Sequence, residues 1–432
     1  MVTLESSGQN PAFFPTFTPY SQNPIINYGD ELFGHPWNDP TVLKENDQYI
    51  MYTSGVEGGL THPNDTISIY RWLSDDGYDW SLNPTRPVLE SVDGTYYSGG
   101  IETPTVVFYK GEYHMYNTVY TQNTPFDFKI SHATSRDGIV WQIDPSFVLE
   151  PTANLDWMSQ ITAEPGVMVN QDTLYLFFTA AGTTGFQSIG LVRSTDGRSF
   201  IDTTQTATLP TDVYPNGNNY AGLSTPSPVM VGNTIYLFTD VAQFVFGDNW
   251  MQVALHQFKS FGDINTWYYD IAPIHTRSDF SWTNGNFNAE VRSITPLMDG
   301  ERLRVWYAGH NISSIVQNDT TNNVYFIGDE LHVERDFWAI GTSEFLFDNV
   351  VTGIDENAVA HHDTAIRYYR NHGTITTKQP GAALLKIHTL DGQLLLKERF
   401  TSRLDFELDY RGLIVISVIT DDAVSTRKYY SF

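Results

Sequence analysis

The pattern of hydrophobic and polar positions repeats five times within the first 350 residues. Each copy begins with a polar or acidic residue, continues through a β-branched stretch, turns, and ends in an aromatic-rich run such as Tyr49-Ile50-Met51-Tyr52-Thr53. Both runs have the length and residue types of buried β-strands. The residues that open the five copies are 60 to 66 positions apart, and they are Asp39, Glu102, Glu164, Ser224 and Glu290.

A second pattern has the same period. Ser-x-Asp-Gly turns begin at Ser74, Ser135 and Ser194, and each is followed by an aromatic residue. A degenerate fourth copy occupies residues 260–267. The Asp-Gly pair suits a tight turn that needs a positive φ angle, so every unit is predicted to contain four strands.

Four-stranded units that repeat radially are the blades of a β-propeller. The sequence therefore predicts an all-β fold: a five-bladed β-propeller over residues 1–350, followed by a small β-sandwich over residues 351–432. No amphipathic helical pattern separates the units, which argues against a parallel α/β fold. The tail is assigned separately because the Asp-Gly period stops near Asn349 and short alternating strands follow.

The charge balance excludes several partners. The chain has 24 basic and 50 acidic residues, a formal net charge of −26, so nucleic acids and anionic membranes are not expected to bind.

Cysteine is absent, which excludes disulfides and thiolate metal sites. No apolar run is long enough to span a membrane. Residues 1–24 lack the features of a signal peptide; if the protein is exported, we expect that peptide to have been removed and Met1 to be an added residue.

The opening residues carry the candidate chemistry. The innermost strand of each propeller blade runs along the central axis, so these residues are expected to converge at equivalent positions in one funnel. Four of the five are carboxylic acids. Glycoside hydrolysis needs such a cluster of carboxyl groups. One, as a carboxylate, acts as base or nucleophile, and another, in its protonated form, donates its proton to the leaving group. The alternative is that these acids cap loops or bind a central cation such as Ca²⁺.

The segment Gly34-His35-Pro36-Trp37-Asn38-Asp39-Pro40-Thr41-Val42 resembles the first-blade motif of the five-bladed glycoside hydrolases. These are the family 43 arabinanase, xylosidase and arabinofuranosidase group and the related invertases of family 32. The resemblance implies that Asp39 is the general base of an inverting enzyme or the nucleophile of a retaining one, with inversion expected. It implies that Glu164, in Ala163-Glu164-Pro165-Gly166, is the general acid. Glu102 is then the carboxylate that orients the acid, and no cofactor is required.

Other assignments remain open at the level of sequence. Glu102 and Glu164 could exchange roles, and Glu290 could be the acid or, with Arg292, a substrate clamp. The further residues expected to contact substrate are His35, Trp37, Tyr97 and Ser224. His310 ends a strand of the fifth copy and is a candidate cation ligand.

The tail resembles the C-terminal sorting domain of the type IX secretion system. The resemblance is carried by residues 387–395, from Ile387 to Leu395, and by Arg411-Gly412-Leu413-Ile414-Val415. It implies a secreted or cell-surface protein that contacts the secretion machinery through this domain. The alternative is an accessory β-sandwich that packs on the propeller.

We therefore expect a secreted glycoside hydrolase of plant or algal polysaccharides. The first alternative is a non-catalytic carbohydrate-binding or adhesion propeller with a central cation. The second is a sialidase-like enzyme, since the Ser-x-Asp-Gly turns resemble Asp boxes. Sialidases need an arginine triad, however, and only Arg292 lies at a strand start.

Overall fold

The computed structural model describes most of the chain. The described residues are 3–6, 14–32, 35–56, 66–122, 127–201, 206–209, 220–232, 234–245, 250–261, 264–269, 272–283, 290–310, 317–319, 324–327, 330–333, 338–347, 364–369, 372–377, 383–389, 394–408, 412–419 and 424–431.

Two short strands precede the repeats, and the first three units then follow as antiparallel meanders. The N-terminal strands are β1 (Thr3–Ser6) and β2 (Thr18–Pro19). The first unit consists of β3 (Trp37–Glu45), β4 (Gln48–Gly55), β5 (Ser68–Ser74) and β6 (Ser81–Leu82). The second consists of β7 (Gly100–Tyr109), β8 (Glu112–Tyr120), β9 (Lys129–Ser135) and β10 (Gln142–Ile143). The third consists of β11 (Ile161–Asn170), β12 (Thr173–Ala181) and β13 (Gln187–Ser194).

The fourth and fifth units follow the same order. The fourth consists of β14 (Tyr220–Val231), β15 (Thr234–Val245), β16 (Trp250–Ser260) and β17 (Thr266–Tyr269). The fifth begins with β18 (Val291–Asp299) and β19 (Arg302–His310), which precede the small meander β20 (Gln317–Asp319), β21 (Val324–Ile327) and β22 (Glu330–Val333). It ends with β23 (Trp338–Leu346), and the N-terminal β2 pairs with β23 as its outer strand. The only helices among the described residues are two 3-10 turns, Asp156–Met158 and Arg277–Asp279.

The first strands of the five units form a closed ring. β3 contacts β7, β7 contacts β11, β11 contacts β14, β14 contacts β18, and β18 contacts β3 again. Five apolar clusters fill the spaces between successive units. The cluster between the fifth and first units contains the wholly buried indoles Trp37, Trp72 and Trp306. The aromatic richness of the sequence is therefore used largely for packing between sheets.

Each first strand is interrupted at one equivalent place by a β-bulge. The bulged residue is in the left-handed region, with φ between 50° and 56°, and the strand register shifts there in every unit. A non-glycine residue in the left-handed region costs about 1–3 kcal/mol of conformational energy. Five such residues at equivalent places therefore indicate that the fold requires this backbone conformation there. The bulged residues are Asp39, Thr103, Glu164, Thr225 and Ser293.

This register corrects the predicted equivalence of the opening residues. Asp39 and Glu164 occupy the bulge, but Glu102 and Ser224 each precede it by one residue, and Glu290 precedes it by three. Because the bulged residue directly precedes proline in four units, the proline fixes the alignment rather than the acid. Only two of the four acids are therefore equivalent, and the expectation of four is wrong.

The Asp-Gly turns form as predicted. The glycines of the three turns have φ between 70° and 79°, and they are Gly77, Gly138 and Gly197. Each turn also accepts a hydrogen bond from an aromatic residue of the preceding unit. Tyr52 donates to the Gly138 carbonyl at 2.8 Å, Tyr116 donates to that of Gly197 at 2.6 Å, and Trp306 Nε1 donates to that of Gly77 at 3.2 Å.

The C-terminal region contains two sheets. The strands are β24 (Thr364–Tyr369), β25 (His372–Thr377), β26 (Ala383–Thr389), β27 (Leu394–Phe400), β28 (Arg403–Glu407), β29 (Gly412–Ile419) and β30 (Val424–Ser431). The sheet orders are β24-β25-β28 and β27-β26-β29-β30. Side chains of both sheets, among them Ile375 and Leu385, share one apolar cluster. The expected boundary at residues 350–351 lies outside the described residues.

The chain is all-β, as predicted. In the part of the chain that the structure describes, no helix has the length and apolar character needed to cross a bilayer.

The approach of the third and fourth units at the ring gives a prediction. A Cβ atom built on Gly166 would meet the backbone carbonyl oxygen of Pro226 far inside contact distance. Because backbone must shift to admit it, we expect Gly166→Ala to lower the free energy of unfolding by about 3 kcal/mol or more in denaturant titration. Gly94→Ala is the control, since Gly94 has open space around it and only its positive φ resists a side chain. It should cost about 1–2 kcal/mol. Equal losses in the two variants would contradict the close approach.

Candidate functional site

A small pocket lies at the axis of the ring. All five first strands contribute to its lining, which alternates prolines with hydroxyl side chains: Asp39, Pro40, Thr41, Thr103, Pro104, Thr105, Pro165, Thr225, Pro226, Ser227, Ser293, Ile294 and Thr295. Asp39 is the ionisable residue of this lining, and its carboxyl group interacts electrostatically with that of Glu102.

Asp39 is held in a fixed orientation. Its side chain is buried, and its Oδ1 accepts a hydrogen bond from the Ser293 hydroxyl at 2.6 Å. Its backbone N–H donates to Asn38 Oδ1 at 2.9 Å. The first unit thus presents one carboxylate at the axis, with the fifth unit holding one of its oxygens.

Glu102 lies in a setting that disfavours its ionised form. Burial, together with the neighbouring Asp39 and Glu164 carboxylates, raises the pKa of Glu102 to about 8, although the Arg292 guanidinium opposes the shift. Glu102 is therefore a neutral carboxylic acid at pH 7 and able to donate a proton. The electrostatic coupling places Asp39, Glu102 and Glu164 in one group, as the sequence predicts. Tyr120 lies near enough for the Glu102 charge to contribute to its raised pKa.

Arg292 is the cation of the site. Its guanidinium donates a hydrogen bond to Glu290 at 3.3 Å, and it lies 3.9 Å from Glu164 and 3.8 Å from Asp240. Nearby carboxylates, Glu290 first, raise the pKa of Arg292 above its ordinary value even though burial opposes them. The pairing of Glu290 with Arg292 that the sequence suggested is present.

Glu164 has a second role in the ring. Its Oε2 accepts a hydrogen bond from the backbone N–H of Thr225, the bulged residue of the next unit, at 3.1 Å. Its other oxygen faces Arg292. Glu164 is thus held between the fourth and fifth units as an ion-paired carboxylate.

Asp240 is a site residue that the sequence reasoning missed. It lies on the second strand of the fourth unit, opposite Ser224, and its side chain is wholly buried. Burial raises the pKa of Asp240 well above its ordinary value, while Arg292 and the Ser293 N–H oppose the shift. The missed signal lies in the repeat. The positions in phase with Asp240 hold Ser54, Thr118 and Thr179, so the fourth copy has an acid where the first three have a hydroxyl.

Two of the predicted substrate contacts are buried. Trp37 has no exposed surface and packs edge-to-face against Trp72 with ring centroids 4.8 Å apart. His35 is also buried and stacks on Trp37 at 5.4 Å. Because Trp37 has no exposed surface, it fills the space between the first and fifth units rather than lining a sugar subsite. The sugar contact expected of His35 stays a prediction.

The other predicted contacts are placed as follows. Ser224 is buried opposite Asp240. Tyr97 is half-buried and packs edge-to-face on Tyr96 at 5.0 Å. His310 ends β19, and its side chain lies outside what the structure describes. Among the side chains that are described, no group of three or more histidines and carboxylates is arranged to hold a metal ion.

No protein-family model matches this chain, and no curated protein matches it. Solved structures do match. A glycosyl hydrolase from Bacteroides ovatus has a TM-score of 0.53 at 12% identity, covering 77% of this chain and 94% of that one. An α-L-arabinofuranosidase from Lactobacillus brevis has a TM-score of 0.51 at 12% identity, covering 74% and 92%. A β-1,2-mannobiose phosphorylase from Listeria innocua has a TM-score of 0.53 at 12% identity, covering 77% and 98%. At these identities the similarity is one of fold.

Proposed function

We propose that the protein is a glycoside hydrolase whose five antiparallel units are the blades of a five-bladed β-propeller, with a C-terminal β-sandwich. The observation that carries this proposal is the pairing of two unlike carboxyl groups at the axis. Partial burial and the neighbouring Asp39 and Glu164 carboxyl groups raise the pKa of half-buried Glu102 to about 8, and Asp39 is oriented by Ser293. Two carboxyl groups held in different environments supply the acid and the base of glycoside hydrolysis.

Asp39 is the proposed general base. The hydrogen bond from Ser293 engages Oδ1, which leaves Oδ2 to accept a proton from an attacking water. The resemblance of the β3 segment to family 43 enzymes supports the same role and implies an inverting reaction.

Glu102 is the proposed general acid, in place of the Glu164 assignment that the family motif favoured. A general acid must carry its proton at the working pH, and the raised pKa of Glu102 supplies that proton at neutral pH. Glu164 lies 3.9 Å from Arg292 and accepts the Thr225 N–H. Its proposed role is to raise the pKa of Glu102 and to hold Arg292.

Water is the proposed acceptor of the sugar, although one structural neighbour is a phosphorylase. Phosphorolysis needs cations to bind inorganic phosphate. In the described part of the site, the cation is Arg292, and three carboxylates already surround it. A phosphate ion there would meet net negative charge.

The substrate and location are proposed from the sequence and the neighbours together. The α-L-arabinofuranosidase among the neighbours and the family 43 resemblance support a plant or algal poly- or oligosaccharide. The sorting-domain resemblance of the tail supports export to the cell surface or medium, through contact with the type IX machinery. A structural Ca²⁺ remains a prediction, and so does the alternative of a non-catalytic sugar-binding propeller that holds such a cation.

The proposed roles predict a specific loss of activity. We expect the protein to release reducing sugar from at least one member of a panel of arabinan, xylan, fructan and algal polysaccharides. Asp39→Asn and Glu102→Gln should each lower kcat by about 10²–10⁴-fold, with the melting temperature preserved. Asp93→Asn, an exposed loop carboxylate, is the matched control and should keep full activity. Full activity in Asp39→Asn would refute the assignment. Sugar binding without cleavage would instead favour the adhesion alternative.

The pH dependence separates the two candidate acids. Because Glu102 must be protonated to act, kcat/KM should fall as pH rises through about 8, and this alkaline limb should disappear in Glu102→Gln. Glu164→Gln should keep the limb but move it to lower pH, since one of the charges that raises the pKa of Glu102 has been removed. A limb that vanishes in Glu164→Gln and persists in Glu102→Gln would assign the acid to Glu164.

The stereochemical course is a further prediction. An Asp39 base that activates water gives the product anomer opposite to that of the substrate. Proton NMR during the first minutes of hydrolysis, before mutarotation, should therefore show the inverted anomer. Initial appearance of the retained anomer would make Asp39 a nucleophile and would leave the proposed hydrolase activity itself intact.

A further inference from the structure

A repeated hydrogen bond joins the units at the axis. The N–H of the bulged residue in one unit donates to a side-chain oxygen on the second strand of the preceding unit. In three cases the acceptor is a hydroxyl, and the pairs are Thr103 with Ser54 at 2.9 Å, Glu164 with Thr118 at 2.7 Å, and Thr225 with Thr179 at 2.9 Å. In the fourth case Ser293 donates to both oxygens of Asp240, at 2.9 and 3.1 Å. We call this bond the bulge bond.

The carboxylate of Asp240 exceeds what the bulge bond requires. A threonine or serine hydroxyl accepts the same N–H in the other three pairs. An acid with no exposed surface carries a desolvation cost that a hydroxyl does not. The presence of an acid rather than a hydroxyl at position 240 therefore needs a further explanation, and the neighbours of Asp240 give one.

Asp240 connects two parts of the proposed catalytic site. The backbone N–H of Ser293 donates to Asp240, and the hydroxyl of Ser293 donates to Oδ1 of Asp39. Asp240 Oδ2 also lies 3.8 Å from Nε of Arg292. That nitrogen is buried and makes no hydrogen bond, and the carboxyl group of Asp240 is the acidic group that faces it.

We propose that Asp240 is a positioning residue of the site, which holds Ser293 against Asp39 and draws Arg292 to its place beside Glu164 and Glu290. A hydroxyl at position 240 would preserve the bulge bond but remove the carboxyl group that faces Nε of Arg292. The inference rests on the proposed glycoside hydrolase function, because its consequence is the geometry of the Asp39 base.

The test compares variants that separate the bulge bond from the contact of the Asp240 carboxyl group with Arg292. Asp240→Thr supplies the acceptor that Thr118 and Thr179 supply in the other units. We expect it to fold with nearly unchanged melting temperature, while kcat falls about 10–100-fold, as small misplacements of catalytic groups do, and KM changes little. The alkaline limb of kcat/KM should also move, because a displaced Arg292 guanidinium changes how strongly it opposes the raised pKa of Glu102.

Ser293 provides a second pair of variants that leaves Asp240 in place. Ser293→Ala removes the hydroxyl that holds Asp39 and keeps the N–H, so kcat should fall as in Asp240→Thr. Ser293→Thr restores the hydroxyl with the residue that Thr103 and Thr225 place at the equivalent bulge, and it should recover most of the activity. Ser54→Ala is the control for the bulge bond alone, and it should lower the melting temperature without moving the alkaline limb.

The outcomes are distinguishable. If the wild-type protein cleaves no glycoside, the proposed function fails and the inference fails with it. If the wild type is active and Asp240→Thr matches it in kcat and in pH profile, only the role of Asp240 is overturned. The same conclusion follows if Ser293→Ala is fully active, which keeps the inference testable even if Asp240→Thr does not fold.

Discussion

The structure depends on a left-handed β-bulge that occurs once in each of five units. A residue in this conformation turns its N–H out of the ladder of its own strand. In four units that N–H donates to a side chain of the preceding unit. The remaining bulge, at Asp39 of the first unit, has no such acceptor because Ala308 occupies the corresponding position in the fifth unit. Asn38 accepts this N–H instead. The conformational cost of the bulges is thus offset by bonds that join the units into a ring.

The same bulges bring the chemistry together. Bulges bend strands and redirect side chains, which is why they are frequent beside functional sites. Here they bring residues more than 60 positions apart to one axis, where the carboxyl groups of Asp39 and Glu164 act electrostatically on that of Glu102. Burial and repulsion from the neighbouring carboxyl groups raise the pKa of Glu102, so it keeps its proton at neutral pH. The Arg292 guanidinium balances the charge of the carboxyl groups around it. The acid–base difference proposed for catalysis is therefore a consequence of ring closure.

Packing between units explains why Trp37 lies in the interior. The interface between the fifth and first units takes Trp37 as one of three wholly buried indoles. A tryptophan beside an axial aspartate resembles a sugar platform in sequence. Trp37 is buried because the sheet of the fifth unit packs against it. That sheet is formed by residues far from Trp37 in the sequence.

The sequence by itself determined the all-β class, the five-fold repeat and the Asp-Gly turns, because strand alternation and turn chemistry are local properties. It also predicted that Asp39, Glu102, Glu164, Glu290 and Arg292 converge, since the repeat period implies convergence, and the structure brings these groups close enough to interact. Tertiary structure decided the rest. The bulge fixed the alignment of the copies, which moved Glu102, Ser224 and Glu290 out of equivalence with Asp39. Asp240 emerged only from contacts across units, and the pKa of Glu102 depends on burial and on charges brought close by folding. Interactions between residues distant in the chain have no local sequence signal, and that is why folding alone sets them.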